Sequence, residues 1–337
     1  MEPKTFPTIL LIILLLSGCG ALRNEASSKP EWIDRPAAAY PTKTHIVGTG
    51  VGASLAIAQD RARAELAKNF SVNIRARMQD KQSYLHQSGL SEFSSETEQQ
   101  IETHTEVVLN AVQIVDSWQD PQTQQYHALA ALSRIQALQL FRGRIHSLDA
   151  ETKTQLKNVS LYQDKLSQVG FIQSAIELQR QRNQIQLMLQ VVDPSGHGVT
   201  SQYSIAELNK QSNQIASNIR IQVQAQSPSA EAFVSSAANS LTKVGIITTD
   251  RSHADYILLL DWPQPQLEQR QGWYWYQGNF KFSLKDTNGQ IYGHSEWPIK
   301  QSATSAVTAA TRIHNEVHDK IEKELGESIL SFGQKSH

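Results

Sequence analysis

The chain has 337 residues, with 31 basic and 32 acidic side chains and a formal net charge of −1 at pH 7. That balance supplies no positive field to gather nucleic acid and no acidic excess to repel it, so no nucleic-acid partner is expected. The single cysteine excludes an intrachain disulfide, leaving packed cores to hold a chain whose length suits two domains.

The first segment follows a secretory layout. Lys4 gives a short positive start, diluted by Glu2, and residues 9–16 form an unbroken apolar run. That run suits a signal peptide and is too short to span a membrane as a helix, which takes ~20 apolar residues. Leu15-Leu16-Ser17-Gly18-Cys19 then reads as a lipobox, with small residues before the cut and the lone cysteine placed to carry lipid. Residues 1–18 are therefore expected to be a lipoprotein signal peptide, and Cys19 the lipidated first residue of the mature chain. One acyl chain holds a membrane weakly, at about 0.8 kcal/mol per buried methylene, whereas several chains anchor stably. Gly20, rather than Asp, follows the cysteine, which favours the outer membrane and its periplasmic face.

Residues 19–31 are polar and read as a lipid-anchored tether. A first α+β domain is expected over 32–148. Trp32, Pro36 and Pro41 fix an extended entry. His45-Ile46-Val47 reads as a short strand that ends in a glycine-rich turn, Gly48 to Ser54. From about Ser54, Leu55, Ala58, Ala62, Leu66, Phe70, Ile74 and Met78 recur at helical spacing. Residues 80–100 are polar and suit an exposed connection. Strands are expected at Val107 to Leu109, at Val112 up to Trp118 and at Tyr126 to Leu132, with a turn at Asp120-Pro121. A helix starts at Ser133.

Residues 149–217 read as a helical connector. One apolar stripe runs through Leu156, Val159, Tyr162, Leu166 and Val169, and another through Phe171, Ala175, Leu178, Ile185 and Leu189. Gly170 between them is the expected break or kink, giving either two packed helices or one bent helix. Asp193-Pro194-Ser195-Gly196 is a stop. A second α+β domain is expected over 218–332. It contains a strand at Ile219 to Ala225, a helix opened by Ser227-Pro228, strands at Val244 to Thr248 and Ala254 to Leu260, and an aromatic strand from Trp273 to Leu284. A hairpin at Asp286 to Gly289 follows, then a return strand to Pro298 and a final helix from about Ala303.

The segment from Trp32 through Ile46-Val47-Gly48-Thr49-Gly50-Val51-Gly52-Ala53-Ser54 and the alanine-rich helix resembles the LPP-twenty (twenty-kilodalton lipoprotein) family. So does the later strand to Trp118 with Tyr126 to Leu132 returning into a helix. Flagellar assembly protein T shares a related first domain. Ala254-Asp255-Tyr256-Ile257-Leu258, with the aromatic strand and its Asn-Gly hairpin, resembles the amino-terminal domain of TolB and the fold of the penicillin-binding-protein activator LpoB. These resemblances imply envelope scaffolds or activators rather than enzymes, although fold alone does not fix function.

Three motifs bear on chemistry. Gly48-Thr49-Gly50-Val51-Gly52-Ala53 matches a dinucleotide fingerprint in form, but no second strand with a terminal acid follows. Close backbone packing is the plainer reading. His314 and His318 stand one helical turn apart, a zinc-compatible spacing, yet Asn315 replaces the glutamate of a metalloprotease and no third ligand is evident. No G-x-S-x-G occurs. No catalytic residue, metal or cofactor is expected. The exposed candidate is Trp273-Tyr274-Trp275-Tyr276. Alternation sends the tryptophans to one face and the tyrosines to the other, and a sheet backed by helices on one side buries only one of those faces.

The sequence thus points to a non-enzymatic outer-membrane lipoprotein. It would act as an envelope accessory, scaffold or assembly factor, with membrane contact through Cys19 and envelope proteins as partners. A flagellar setting is implied by resemblance, and activation of a peptidoglycan synthase is the alternative. A nucleotide- or metal-dependent hydrolase is the alternative of another class.

Overall fold

The computed structural model describes residues 28–87 and 111–335. Its architecture is α+β, built on two separate sheets. The connection expected over 80–100 is helical through Gln87, because α2 (Leu55–Gln87) continues that far; its remainder, the expected strand at 107–109 and the whole lipobox segment lie outside the described residues.

The first sheet contains β1 (His45–Gly52), β2 (Gln113–Gln119) and β3 (Tyr126–Ser133), in the order β1-β3-β2. Both pairings are antiparallel, with His45 opposite Ser133 and Gly52 opposite Tyr126. A short α1 (Pro36–Ala39) precedes β1, and α2 (Leu55–Gln87) lies across the sheet. The glycine segment is strand, not turn, because β1 continues through Gly48 and Gly50 to Gly52. Alternation puts all three glycines on the face toward α2. A Cβ at Gly48 would sit 2.4 Å from the Leu66 nitrogen, and one at Gly50 would sit 2.1 Å from the Ala58 oxygen. Ala58, Ala62 and Leu66 are fully buried against them. The glycines therefore let a helix backbone lie directly on a strand.

Two long helices follow, α3 (Arg134–Leu161) and α4 (Lys165–Val192). The chain breaks at Tyr162 to Asp164 and not at Gly170. Asp164 caps α4 by accepting from the Ser167 nitrogen at 2.6 Å. The buried Arg182 of α4 bonds Asp149 of α3 at 2.9 Å, and Gln179 donates to Thr152 at 2.9 Å. Of the two expected alternatives, the helices form a packed pair. α5 (Ile205–Ala216), an element without a sequence expectation of its own, packs beside α4.

The second sheet is mixed. Its strands are β4 (Arg220–Ala225), β5 (Ile247–Thr248), β6 (Tyr256–Asp261), β7 (Gln266–Arg270), β8 (Trp273–Asp286) and β9 (Ile291–Ala303). The order is β5-β4-β6-β8-β7, with β9 on β8 as well. β4 pairs in parallel with β5 and β6, and β8 pairs antiparallel with β6, β7 and β9. The helices α6 (Val234–Lys243), α7 (Ala306–Lys320) and α8 (Gly326–Lys335) contribute Leu241, Ile313, Val317 and Ile329 to the same core as Leu258, Phe280, Phe282 and Trp297. Here too the elements differ from expectation. β7 was not foreseen, β5 is only two residues long, and β9 runs past Pro298 to Ala303 before α7 begins.

α4 belongs to every core. Leu166 and Val169 join the second sheet's core, Ile172 and Ile176 join a middle cluster with Leu208, and Ile185 to Val192 join the first sheet's core. The segment read as a connector is thus an integral part of both packed units. Among the described residues no helix is long and apolar enough to cross a membrane.

Candidate docking surface and the clamp beneath it

β8 carries the aromatic run. Its even positions, Phe280, Phe282 and Leu284, face the helices, and the same parity puts Tyr274 and Tyr276 on that side. Tyr276 packs against the core and Tyr274 is half-buried. Trp273 and Trp275 therefore point to the face without helices. Trp273 is 44% exposed and Trp275 is half-buried. Register places Glu268 and Ser302 opposite Trp275 and Arg270 opposite Trp273.

Around the indoles the surface is charged. The Lys300 ammonium lies 4.9 Å from the centre of the Trp275 ring, a cation–π contact. Arg270 and Glu268 pair at 2.7 Å on β7. Together with Gln271 these side chains and the two tryptophans line an open groove of about 310 Å³. Such a surface offers flat apolar area at small entropic cost, with donors and acceptors at its rim, as protein interfaces do.

The remaining sequence candidates are not drawn into this groove. Cys19 lies outside the described residues. The glycines of β1 stand within a strand with their Cα faces packed on α2, not in a turn that cradles a phosphate at a helix N-terminus. The His314 ring lies tilted against Phe233 with ring centres 4.7 Å apart, and His318 sits 3.9 Å from Asp319. Among the described residues no group of three or more His, Cys, Asp or Glu side chains is arranged to hold a metal.

A polar cluster that sequence reasoning missed fixes the second sheet to α4. Tyr256 of β6 and Tyr292 of β9 both donate to Asp164, the latter at 3.0 Å, and the Leu166 nitrogen donates to the Tyr256 hydroxyl at 3.2 Å. Beside it Lys165 donates to Asp255 at 2.9 Å and to the Asn218 carbonyl at 2.7 Å. Burial alone would raise the Asp164 pKa, but hydrogen bonds from Ser167, Tyr256 and Tyr292 outweigh it and hold the carboxyl below its ordinary range. Burial, then the Asp164 carboxylate, pushes both phenols up, Tyr292 to about 12. The sequence signal was faint: an Asp before a helix and an Asp-Tyr opening a strand. At the other end of α4, Arg134 donates to the carbonyls of Val191 and Val192 at 2.7 and 3.2 Å and to that of Thr42 at 2.8 Å.

With this geometry in place, comparison with known proteins adds one family. Residues 30–133 match the LPP20 lipoprotein family, so the segment built on the glycine strand and α2 is similar to those lipoproteins. No curated protein matches the chain significantly. Among solved structures, a secreted protein of Helicobacter pylori aligns over 82% of this chain and 96% of its own, at 13% identity and a TM-score of 0.44. A minor lipoprotein of Acinetobacter baumannii aligns over 35% of this chain and 92% of its own, at 12% identity and a TM-score of 0.27. A lipoprotein of Neisseria meningitidis aligns over 30% and 96%, at 10% identity and a TM-score of 0.21.

Proposed function

We propose that this chain is a lipid-anchored protein of the bacterial envelope that works without catalysis, as an accessory, scaffold or assembly factor. Its docking surface for an envelope protein is the tryptophan face of β8. The observation that carries the reading is the position of Trp273 and Trp275 on the helix-free side of the sheet, rimmed by Lys300, Arg270 and Glu268. Large aromatic side chains placed outward beside charges are characteristic of contact surfaces. The lipobox at Leu15 to Cys19 and the LPP20 match over residues 30–133 support anchoring, with the outer membrane as the site and the periplasmic face as the orientation.

The test is made in intact cells with a photo-crosslinking side chain at position 273. An envelope protein is expected to be captured there, and Trp275→Ala is expected to remove the adduct while the chain stays in the membrane fraction. Its identity separates a flagellar setting from a peptidoglycan-synthase setting. Absence of any adduct from an anchored, folded chain sinks the docking reading. Unchanged membrane partition of Cys19→Ser sinks the anchoring reading.

A further inference from the structure

Two edge strands of the second sheet, β9 and β7, are guarded very differently. β9 is thirteen residues long and pairs only with β8 among the described strands, but Pro298 lies in the middle of it, and Lys300 two residues on. Proline and lysine on an edge strand oppose pairing with another chain. β7 also pairs only with β8 among the described strands, yet it has neither residue. Its sequence is Gln266-Leu267-Glu268-Gln269-Arg270, and four of the five residues are exposed.

Turn geometry settles which backbone groups of β7 are open. Gln271 and Gly272 have φ of 49° and 79°, the two positive values of a two-residue hairpin turn. Arg270 and Trp273 close that hairpin and so exchange both backbone hydrogen bonds. Alternation then bonds Glu268 to β8 as well and turns the N–H and C=O of Leu267 and Gln269 away from the sheet. Those groups form the template that an added antiparallel strand requires.

We infer that the occupant of this edge is β7 of a second copy of the chain, paired antiparallel about Gln269. Electrostatics selects this partner and register. Centred on Gln269, the two strands exchange hydrogen bonds at that residue, and each Glu268 stands opposite Arg270 of the partner subunit. Both contacts repeat by the two-fold axis, as an isologous interface demands. A slip of one step, centred on residue 268, brings the two Glu268 carboxylates face to face, which is unfavourable. Arg270 and Glu268 pair with each other at 2.7 Å within the strand, and with side chains 73% and 39% exposed each can also turn to the opposite charge of the partner subunit. The axis stands perpendicular to the sheet, so the tryptophan faces of the two copies remain on the same side. A five-residue seam is small for a dimer in free solution, and confinement on a membrane raises the effective concentration that closes it.

The experiment uses the full chain in cells, with Gln269→Cys and a short bis-maleimide. A crosslinked dimer is expected from this variant and none from the unaltered chain, whose Cys19 thiol carries lipid. Adding Glu268→Arg or Arg270→Glu is expected to reduce the dimer on the order of tenfold or more, and adding both together to restore it. No dimer from Gln269→Cys, or a dimer indifferent to the single charge reversals, overturns the inference. A dimer from the unaltered chain instead reports a free Cys19 and counts against lipid anchoring, not against the edge.

Discussion

Gly170 of α4 and Gly333 of α8 mark the point where the two helices cross with backbones in contact. A Cβ on Gly170 would lie 2.4 Å from the Gly333 carbonyl carbon, and one on Gly333 would lie 2.1 Å from the Leu166 carbonyl oxygen. Neither obstacle is a flexible side chain. Gly170→Ala and Gly333→Ala are each expected to lower stability by about 1–3 kcal/mol or more through overpacking, despite alanine's better helix propensity. Gly143 of α3 is the contrast, since nothing lies within 4 Å of its added Cβ. Gly143→Ala should stabilise by about 0.5–1 kcal/mol. Urea unfolding of the three variants reads both signs at once.

The Asp164 clamp gives a pH signature at both extremes. The carboxyl is depressed in the fold, so its contribution is full above its unfolded value of about 3.9 and is lost as pH falls below that. Tyr256 and Tyr292 are raised, so their contribution is full below about 10 and is lost as pH climbs toward the folded values. Asp164→Asn should flatten the acid limb of a stability–pH profile. Tyr256→Phe should lower stability at neutral pH by about 1.5–3 kcal/mol, the scale of a hydrogen bond to a charged acceptor. Thermal unfolding between pH 2.5 and about pH 11 would check both limbs.

Arg182 is 1% exposed and holds two elements together, bonding Asp149 at 2.9 Å and the Val199 carbonyl at 3.1 Å. Truncation strands a carboxylate that also accepts from Gln179. Arg182→Ala is expected to cost about 3–5 kcal/mol, the range for breaking one side of a buried pair. Arg182→Lys should recover only part of this, because an ammonium cannot address both acceptors with a planar fork. Chemical denaturation distinguishes the two variants.

Gly50→Ala should be the most damaging single change in the first unit. Its Cβ would fall 2.1 Å from the Ala58 oxygen and 2.4 Å from the Ala62 nitrogen, with no side chain able to move aside. A loss of more than about 3 kcal/mol is expected. Far-ultraviolet dichroism and yield of folded protein would register it, and full retention of both would show that α2 can lift from β1.

Regular amphipathic elements were legible in the sequence. The α2 stripe from Ala58 to Ile74, the strand at Tyr126 to Leu132 and the Asn288-Gly289 hairpin all carry their own period or turn chemistry, whereas Leu55, expected on the same stripe, is exposed. The parity of Trp273 to Tyr276 was legible too, and only the packing of Tyr276 shows which face is inward. What was missed lacks a local signal. β7 has one apolar residue in five, so it exists through its register with β8 rather than through any pattern of its own. Gly170 looked like a helix break because glycine usually weakens helices, but here its value is the missing side chain at a crossing. The true break at Asp164 is set by a cap and two tyrosines more than ninety residues away, partners that no local window contains.

The fixings at the two ends of α4 have a mechanical consequence. Asp164 and Lys165 rivet its first turn to the second sheet, and Arg134 rivets its last turn to the strand and helix of the first. Twenty-eight residues at 1.5 Å each make a strut about 42 Å long between those rivets. Force between the two sheets therefore has a direct path along the helix axis, through the bonds at its two ends.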